Sequence, residues 1–351
     1  MNYYYLNPIK EQLLFIKDKK DRDAVIDNII NLRAHLGANM PEKKLSGNLI
    51  LGTWNLREFG ATKYKGRMIE SLYYIAEIIS RFDLIAVQEI RENLSDINSI
   101  CRILGSDWGI FTSLVTQGAA GNHERMSFLY DKRTVSFKNI AGQIVTPAEF
   151  SDDGFARSPY VIRFQSGWVK FDICTVHIYY GNASKNSDQY ARRVQEIGNI
   201  VKFLDKYYVQ KKEANNIFLL GDFNIEDTKS ETYKAATSNK QFKIPSAILK
   251  GNLPGSNAAQ DKIYDQILYY NKYQDITFKK AGTYNYYQAV FDKFASYKSR
   301  ILKHSKGITA ENFKTFKTYQ MSDHLPLWIE MNTDHTDNYL KNLKKKEEKT
   351  P

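Results

Sequence analysis

Apolar positions along the chain fall in short unbroken runs separated by stretches of helical period, an alternation that predicts a sheet covered by helices. Leu49-Ile50-Leu51 and Leu84-Ile85-Ala86-Val87 are runs of buried-strand type. Between them, from about Gly66 to Arg81, Ile69, Leu72, Tyr73, Ala76 and Ile79 share one helical face. Ser127 to Tyr130 forms a further strand, and Tyr160 to Phe164 with Trp168 to Ile178 form a hairpin turning at Ser166-Gly167. A second helix from about Tyr190 to Tyr207, with Val194, Ile197, Val201 and Leu204 inward, leads to the strand Ile217 to Leu220. Gln266 to Tyr269 and Leu325 to Met331 supply two more strands.

The flanks read differently. A helical pattern from about Glu11 to His35 ends at the break Met40-Pro41, and Lys341 to Lys349 is a charged tail. The expected division is an N-terminal helical extension over 1–46, one α/β domain over 47–333 and a tail over 334–351.

With 351 residues, 42% of them hydrophobic, the chain can bury a large core. Its start lacks a basic segment followed by an apolar one, and no stretch approaches the apolar length of a membrane span, so a cytoplasmic protein without membrane association is expected. Neither Cys101 nor Cys174 has metal-ligand spacing, and Cys174 lies in an alternating run that predicts a buried strand position. A formal charge of +11 favours polyanionic partners without choosing among them.

The candidate chemistry lies where polar residues meet those strands. Asn55, Glu89, His177, Asp222 and Asn224 follow or close their strands, whereas Asp265 and Asp323-His324 precede theirs. Strands running in opposite directions would bring both sets to one rim. Carboxylates, amides and two histidines gathered there suit a hard cation and acid–base chemistry. Singly each residue is a plain turn or strand end, since Gly, Asp and Asn are the usual turn residues. Their joint occurrence in this order is what carries information.

The runs Thr53-Trp54-Asn55-Leu56-Arg57-Glu58-Phe59-Gly60, Gln88-Glu89-Ile90-Arg91, Glu124-Arg125, Gly221-Asp222-Phe223-Asn224, Tyr264-Asp265-Gln266-Ile267 and Ser322-Asp323-His324-Leu325-Pro326 resemble, in sequence and order, the motifs of the DNase I-like endonuclease/exonuclease/phosphatase family. Arg157-Ser158-Pro159 resembles that family's arginine-proline element, and Arg91 with the Glu-Arg run resembles the nuclease branch nearest DNase I. The resemblance spans about Asn48 to Met331 and implies a four-layer α/β/β/α sandwich, with two mixed, largely antiparallel sheets flanked by helices.

It further implies a metal-dependent phosphodiesterase, foremost a DNA endonuclease of low sequence specificity. Glu89 would be the principal Mg²⁺ ligand, with Mn²⁺ able to substitute, and Asn55 and Asp323 would supply further oxygens. His177, oriented by Glu124, and His324, oriented by Asp265, would exchange protons with the attacking water and the departing oxygen. Asp222 and Asn224 would position water and phosphate, and the base is left open between His177 and Asp222. Arg91 and Arg157 are candidates for phosphate contact, with a plain ion pair as the other reading of each.

Two departures from the DNase I branch of the pattern stand out: that branch's disulfide near Asp-Phe-Asn has no counterpart at Cys101 or Cys174, and its DNA-touching tyrosine is replaced by Asn122. The Lys279 to Lys317 segment, rich in lysine and in aromatics such as Tyr286, Phe291 and Tyr297, reads either as a stacking arm for nucleic acid or as a helical insertion with its aromatics inward. The alternatives on function are an RNA or phosphoinositide phosphodiesterase and an inactive nucleic-acid-binding module. The retention of Glu89, His177, Asp222, Asn224, Asp265 and His324 speaks against the last.

Overall fold

The computed structural model of the chain describes residues 1–6, 14–116, 121–145, 150, 154–273 and 275–347. In chain order α1 (Lys19–Asn39) precedes β1 (Asn48–Phe59), α2 (Ile69–Ile79), β2 (Leu84–Ile90), α3 (Ser95–Leu104), β3 (Trp108–Thr112), β4 (Arg125–Asp131), β5 (Ser136–Gln143), β6 (Tyr160–Ser166) and β7 (Val169–His177). Then follow α4 (Asp188–Leu204), β8 (Asn216–Asp222), α5 (Glu231–Thr237), α6 (Ser246–Gly251), β9 (Asp265–Asn271), β10 (Phe278–Thr283), α7 (Phe294–His304), α8 (Phe313–Gln320), β11 (Leu327–Asn332) and α9 (Thr336–Glu347).

Within the strands, neighbouring apolar residues part to opposite faces, as a period of two requires. Leu49 and Leu51 of β1, with Phe218 and Leu220 of β8, enter the core between the two sheets. Ile50 instead meets the helical layer of α1, α2, α3, α7 and α8, and Ile217 and Leu219 pack with Ile197, Ile200 and Val201 of α4. One sheet has six strands in the order β10-β11-β1-β2-β4-β3, the other five in the order β5-β6-β7-β8-β9. Among the described residues only β1–β2 and β7–β8 pair in parallel. This is the expected α/β/β/α sandwich of two mixed, largely antiparallel sheets.

The unforeseen strands β3, β5 and β10 are all sheet edges. An edge is protected by polar residues and lysine rather than by an apolar run, so Phe278-Lys279-Lys280-Ala281-Gly282-Thr283 gives little strand signal.

The N-terminal helix starts at Lys19 rather than near Glu11, because the Asp18 carboxylate accepts from Asp21 N at 3.0 Å and caps it. The expected residues 11–13 lie outside the described ones. It runs past His35 to Asn39 and ends where Met40 turns extended ahead of Pro41. Val25, Ile29, Leu32 and Leu36 are buried in the same cluster as α2. At about 1.5–3 kcal/mol for each such side chain, this docking holds α1 to the domain firmly.

The Lys279–Lys317 segment takes the second of its two readings. Tyr284, Tyr286, Tyr287, Phe291 and Tyr297 are all buried in that cluster, which withdraws these rings from base stacking. No helix among the described residues is long and apolar enough to cross a membrane.

Candidate active site

Register explains how residues so distant in sequence meet. In the parallel β7–β8 pair His177 lies opposite Asp222, and in the antiparallel β8–β9 pair Asp222 lies opposite Asp265. Three strand ends thus present three titratable groups side by side. Gly221 makes the approach possible: its φ is +144°, and a Cβ there would stand 2.0 Å from the Val176 carbonyl oxygen.

The other sheet contributes through an irregularity. The β1–β2 register shifts between Asn55 and Phe59, and Arg57, Glu58 and Glu89 take positive φ. Such a bulge re-aims side chains that a regular strand would point elsewhere. The Glu89 carboxylate accepts from Glu58 N at 2.8 Å and from Asn55 Nδ2 at 2.7 Å. Asn55 Nδ2 also reaches Asp222 Oδ2 at 2.9 Å, bridging the two sheets.

Both histidines are backed by carboxylates. His177 Nδ1 lies 2.9 Å from Glu124 Oε2, and His324 Nδ1 lies 2.8 Å from Asp265 Oδ2. Their outward nitrogens converge on one acid: His177 Nε2 is 3.7 Å and His324 Nε2 is 3.6 Å from Asp222 Oδ2. His177 Nε2 also lies 3.8 Å from Glu89 Oε1. Glu89, His177 and Asp222 offer ligand atoms within 4.8 Å of one another, and so do Asp222, Asp265 and His324.

The surroundings set the charges. Burial acts to raise the Glu124 carboxyl, but His177 and Arg157 outweigh it and hold it down at about 2. Burial also acts to lower His324, but Asp265 and Asp222 outweigh it and raise the imidazole well above its ordinary value. Asp265 itself is pushed up to about 6 by burial, with His324 opposing.

Not every expected residue stands as anticipated. Arg157 is buried, with Nε on Glu124 Oε2 at 2.7 Å and Nη1 on the His177 carbonyl at 3.4 Å, so it braces the histidine from behind. Asn55 turns its NH₂ to the carboxylates while its Oδ1 accepts from Arg57 N at 2.8 Å. Asp323 is half-exposed, lies 3.3 Å from Arg57 and belongs to neither three-residue cluster among the described residues. Arg91 sits at the rim, 3.5 Å from Glu58 and 3.8 Å from Glu124. Asn224 lies behind Asp222, donating from Nδ2 to the Ile178 carbonyl at 2.9 Å while its N–H reaches Asp222 Oδ1 at 2.9 Å.

Other residues hold this arrangement without having been singled out. Arg67 Nη2 donates to the Leu56 and Arg57 carbonyls at 2.6 and 2.8 Å, clasping the bulge, and no spacing in the sequence signals it. Ser322 Oγ donates to the Asn55 carbonyl at 2.6 Å and receives His324 N at 3.0 Å, and its place in the Ser-Asp-His run was a usable signal. Trp54 Nε1 and the Tyr286 hydroxyl both donate to the His324 carbonyl, at 2.9 and 2.8 Å.

A sandwich whose two sheets meet at carboxylate-backed histidines and clustered acids is the architecture of the DNase I-like endonuclease/exonuclease/phosphatase class, and this chain has that fold. Among known proteins it is similar to deoxyribonuclease-1 of Bos taurus, 27% identical over 234 residues that span 63% of this chain and 78% of that protein. The match to the Gallus gallus counterpart, at 25% identity, spans 52% of this chain and 63% of that one. Among solved structures, an endonuclease/exonuclease/phosphatase family protein from Bacteroides thetaiotaomicron aligns with a TM-score of 0.55 at 14% identity, over 82% of this chain and 98% of its own. D. rerio TDP2 complexed with a single-strand DNA product aligns with a TM-score of 0.53 at 12% identity, over 82% of this chain and 99% of its own. No family model matches the chain.

Proposed function

We propose that the chain is a divalent-metal-dependent phosphodiesterase that hydrolyses nucleic acid, foremost DNA. The observation that carries this reading is the convergence of two carboxylate-backed imidazoles on the shared Asp222 carboxylate. Similarity to deoxyribonuclease-1 supports the nucleic-acid substrate.

The donor set fits a hard cation. Glu89 and Asp222 stand close enough to share the Asn55 NH₂, and His177 Nε2 lies 3.8 and 3.7 Å from their oxygens. Glu89 with Asp222 would hold Mg²⁺, or Mn²⁺ in its place, and the bound ion would offset charge on the phosphodiester. His324, kept protonated by Asp265 and Asp222, is placed to give a proton to the departing oxygen. Asp222 and His177 face the same space, and either takes the proton of the attacking water. Arg91 at the rim would meet a phosphate oxygen. Phosphate-directed contacts of this kind confer little sequence preference.

The test is turnover by the full chain with Mg²⁺ of supercoiled plasmid, linear duplex, single-stranded DNA, RNA and phosphoinositide vesicles, each repeated with chelator and with His324→Ala. Plasmid nicking that chelator abolishes and that the variant lowers by about 10²–10⁴ is expected. Turnover confined to the lipid, or nicking indifferent to chelator, would overturn the proposal.

A further inference from the structure

The Lys279–Lys317 segment withdraws its aromatics, but α8, which begins within it and runs on to Gln320, carries one ring, Tyr319, to the Arg57–Glu58 bulge. Tyr319, at the end of α8, is half-buried, and its hydroxyl donates to Glu58 Oε1 at 3.2 Å. The Arg57 guanidinium lies 4.0 Å from the centroid of that ring, and Lys63 Nζ lies 4.1 Å from it. Lys63 Nζ also donates to the Tyr319 hydroxyl at 2.9 Å. One phenol therefore holds two cations near each other in spite of their repulsion.

The opposing charges are sparse. Arg57 has Asp323 at 3.3 Å, and Glu58 bonds the phenol and lies 3.5 Å from Arg91. Among the described residues no carboxylate lies within ion-pair distance of Lys63. Lys65, exposed, adds a third positive charge on the same loop. The loop is built rather than loose: Tyr64, at φ +54°, packs its ring edge-on against both Phe316 and Tyr319. Two cation–π contacts and a hydrogen bond thus fix a positive strip that begins two residues from Asn55 and runs outward from the Glu89 side of the site.

We propose that Lys63, Arg57 and Tyr319 form a phosphate clamp, which takes the backbone of the nucleic-acid substrate one or more phosphates away from the bond being cut. The inference rests on the nuclease reading above. Both faces of the question favour phosphate over a base: the ring already carries cations, so it serves as their template and not as a stacking platform. A lysine without a carboxylate partner, set beside an arginine that has only the half-exposed Asp323, is complementary to a chain that carries a negative charge at every nucleotide.

The test uses the full chain with Mg²⁺ and compares wild type with Lys63→Gln and Tyr319→Leu on duplex DNA and on bis(p-nitrophenyl) phosphate, a diester with no neighbouring phosphates. Lys63→Gln should raise KM for duplex by about threefold to tenfold. Its duplex affinity should lose about 0.9 from the slope of log K against log salt. Tyr319→Leu, which releases both cations, should do at least as much. The effect on duplex should exceed any effect on the small diester. The clamp is overturned if Lys63→Gln binds duplex with the wild-type slope and KM, or if both substrates suffer equally. Should Tyr319→Leu fail to fold, Lys63→Gln alone still decides, since Lys63 is exposed. Wild-type turnover of the small diester without any turnover of nucleic acid would instead remove the nuclease reading itself.

Discussion

Replacing Arg157 by methionine separates two roles an arginine near a phosphodiester site can have. Arg157 and Glu124 are both almost fully buried and 2.7 Å apart. Removing one partner of such a pair leaves the other as an uncompensated charge, at a cost of about 3–5 kcal/mol. His177 also holds Glu124, so the lower end applies, about 3 kcal/mol. At roughly 2–4 °C per kcal/mol for a domain approaching this size, melting should fall by about 6–12 °C at neutral pH. The Glu124 carboxyl is depressed from 4.5 to about 2, so the stability it contributes is present above 4.5 and is lost as pH falls towards 2. Without Arg157 that depression shrinks, and the gap between variant and wild type should therefore close on acidification. Thermal unfolding at pH 7 and below pH 4.5 measures this, and plasmid nicking at pH 7 should show kcat falling as His177 loses its brace. A variant with wild-type melting, a raised KM and a shallower salt slope would refute the reasoning and return Arg157 to the substrate.

Two other substitutions probe the remaining geometry. In Asp265→Asn, His324 loses a carboxylate that, together with Asp222, raises its pKa against burial. Because that pKa is raised, the protonated imidazole persists to alkaline pH in the wild type and is lost as pH rises through it. The alkaline limb of the pH–rate profile should move to lower pH in the variant, with nicking at neutral pH down by about 10²–10⁴. An unmoved limb counts against His324 as the proton donor. In Arg67→Met, the Leu56 and Arg57 carbonyls lose their donor, at about 1–3 kcal/mol for each one left unpaired. The slackened bulge should lower kcat by about tenfold to a hundredfold while KM for duplex changes little, and steady-state kinetics showing an unchanged kcat would deny Arg67 a positioning role.

What could be read from the sequence was the placement of residues on regular strands. Short apolar runs locate β7, β8 and β9, and once their directions are known His177, Asp222 and Asp265 fall next to one another in register. The polar edge strands escaped because Phe137 in Ser136–Gln143 and Phe278 and Ala281 in Phe278–Thr283 meet the core singly, among lysines and other polar residues, and form no apolar run. The expected helix start near Glu11 gives way to Lys19 because a capping hydrogen bond from Asp21 N–H to the Asp18 carboxylate, invisible to periodicity, decides where the turn begins.

Roles within the site were harder to read than positions, and the reason is local. A strand position predicts side-chain direction only while the backbone keeps its pleat. Around Asn55 it does not, since Arg57, Glu58 and Glu89 all take positive φ where β1 and β2 slip in register. That slip brings Glu58 N onto the Glu89 carboxylate and Arg57 N onto Asn55 Oδ1. The same slip starts the loop that carries Lys63 to the Tyr319 ring. The departures from regular strand geometry thus coincide with the groups proposed above to meet metal and phosphate. Strained backbone persists only where its surroundings over-determine it, and here the clasp of Arg67 on the bulge supplies that constraint.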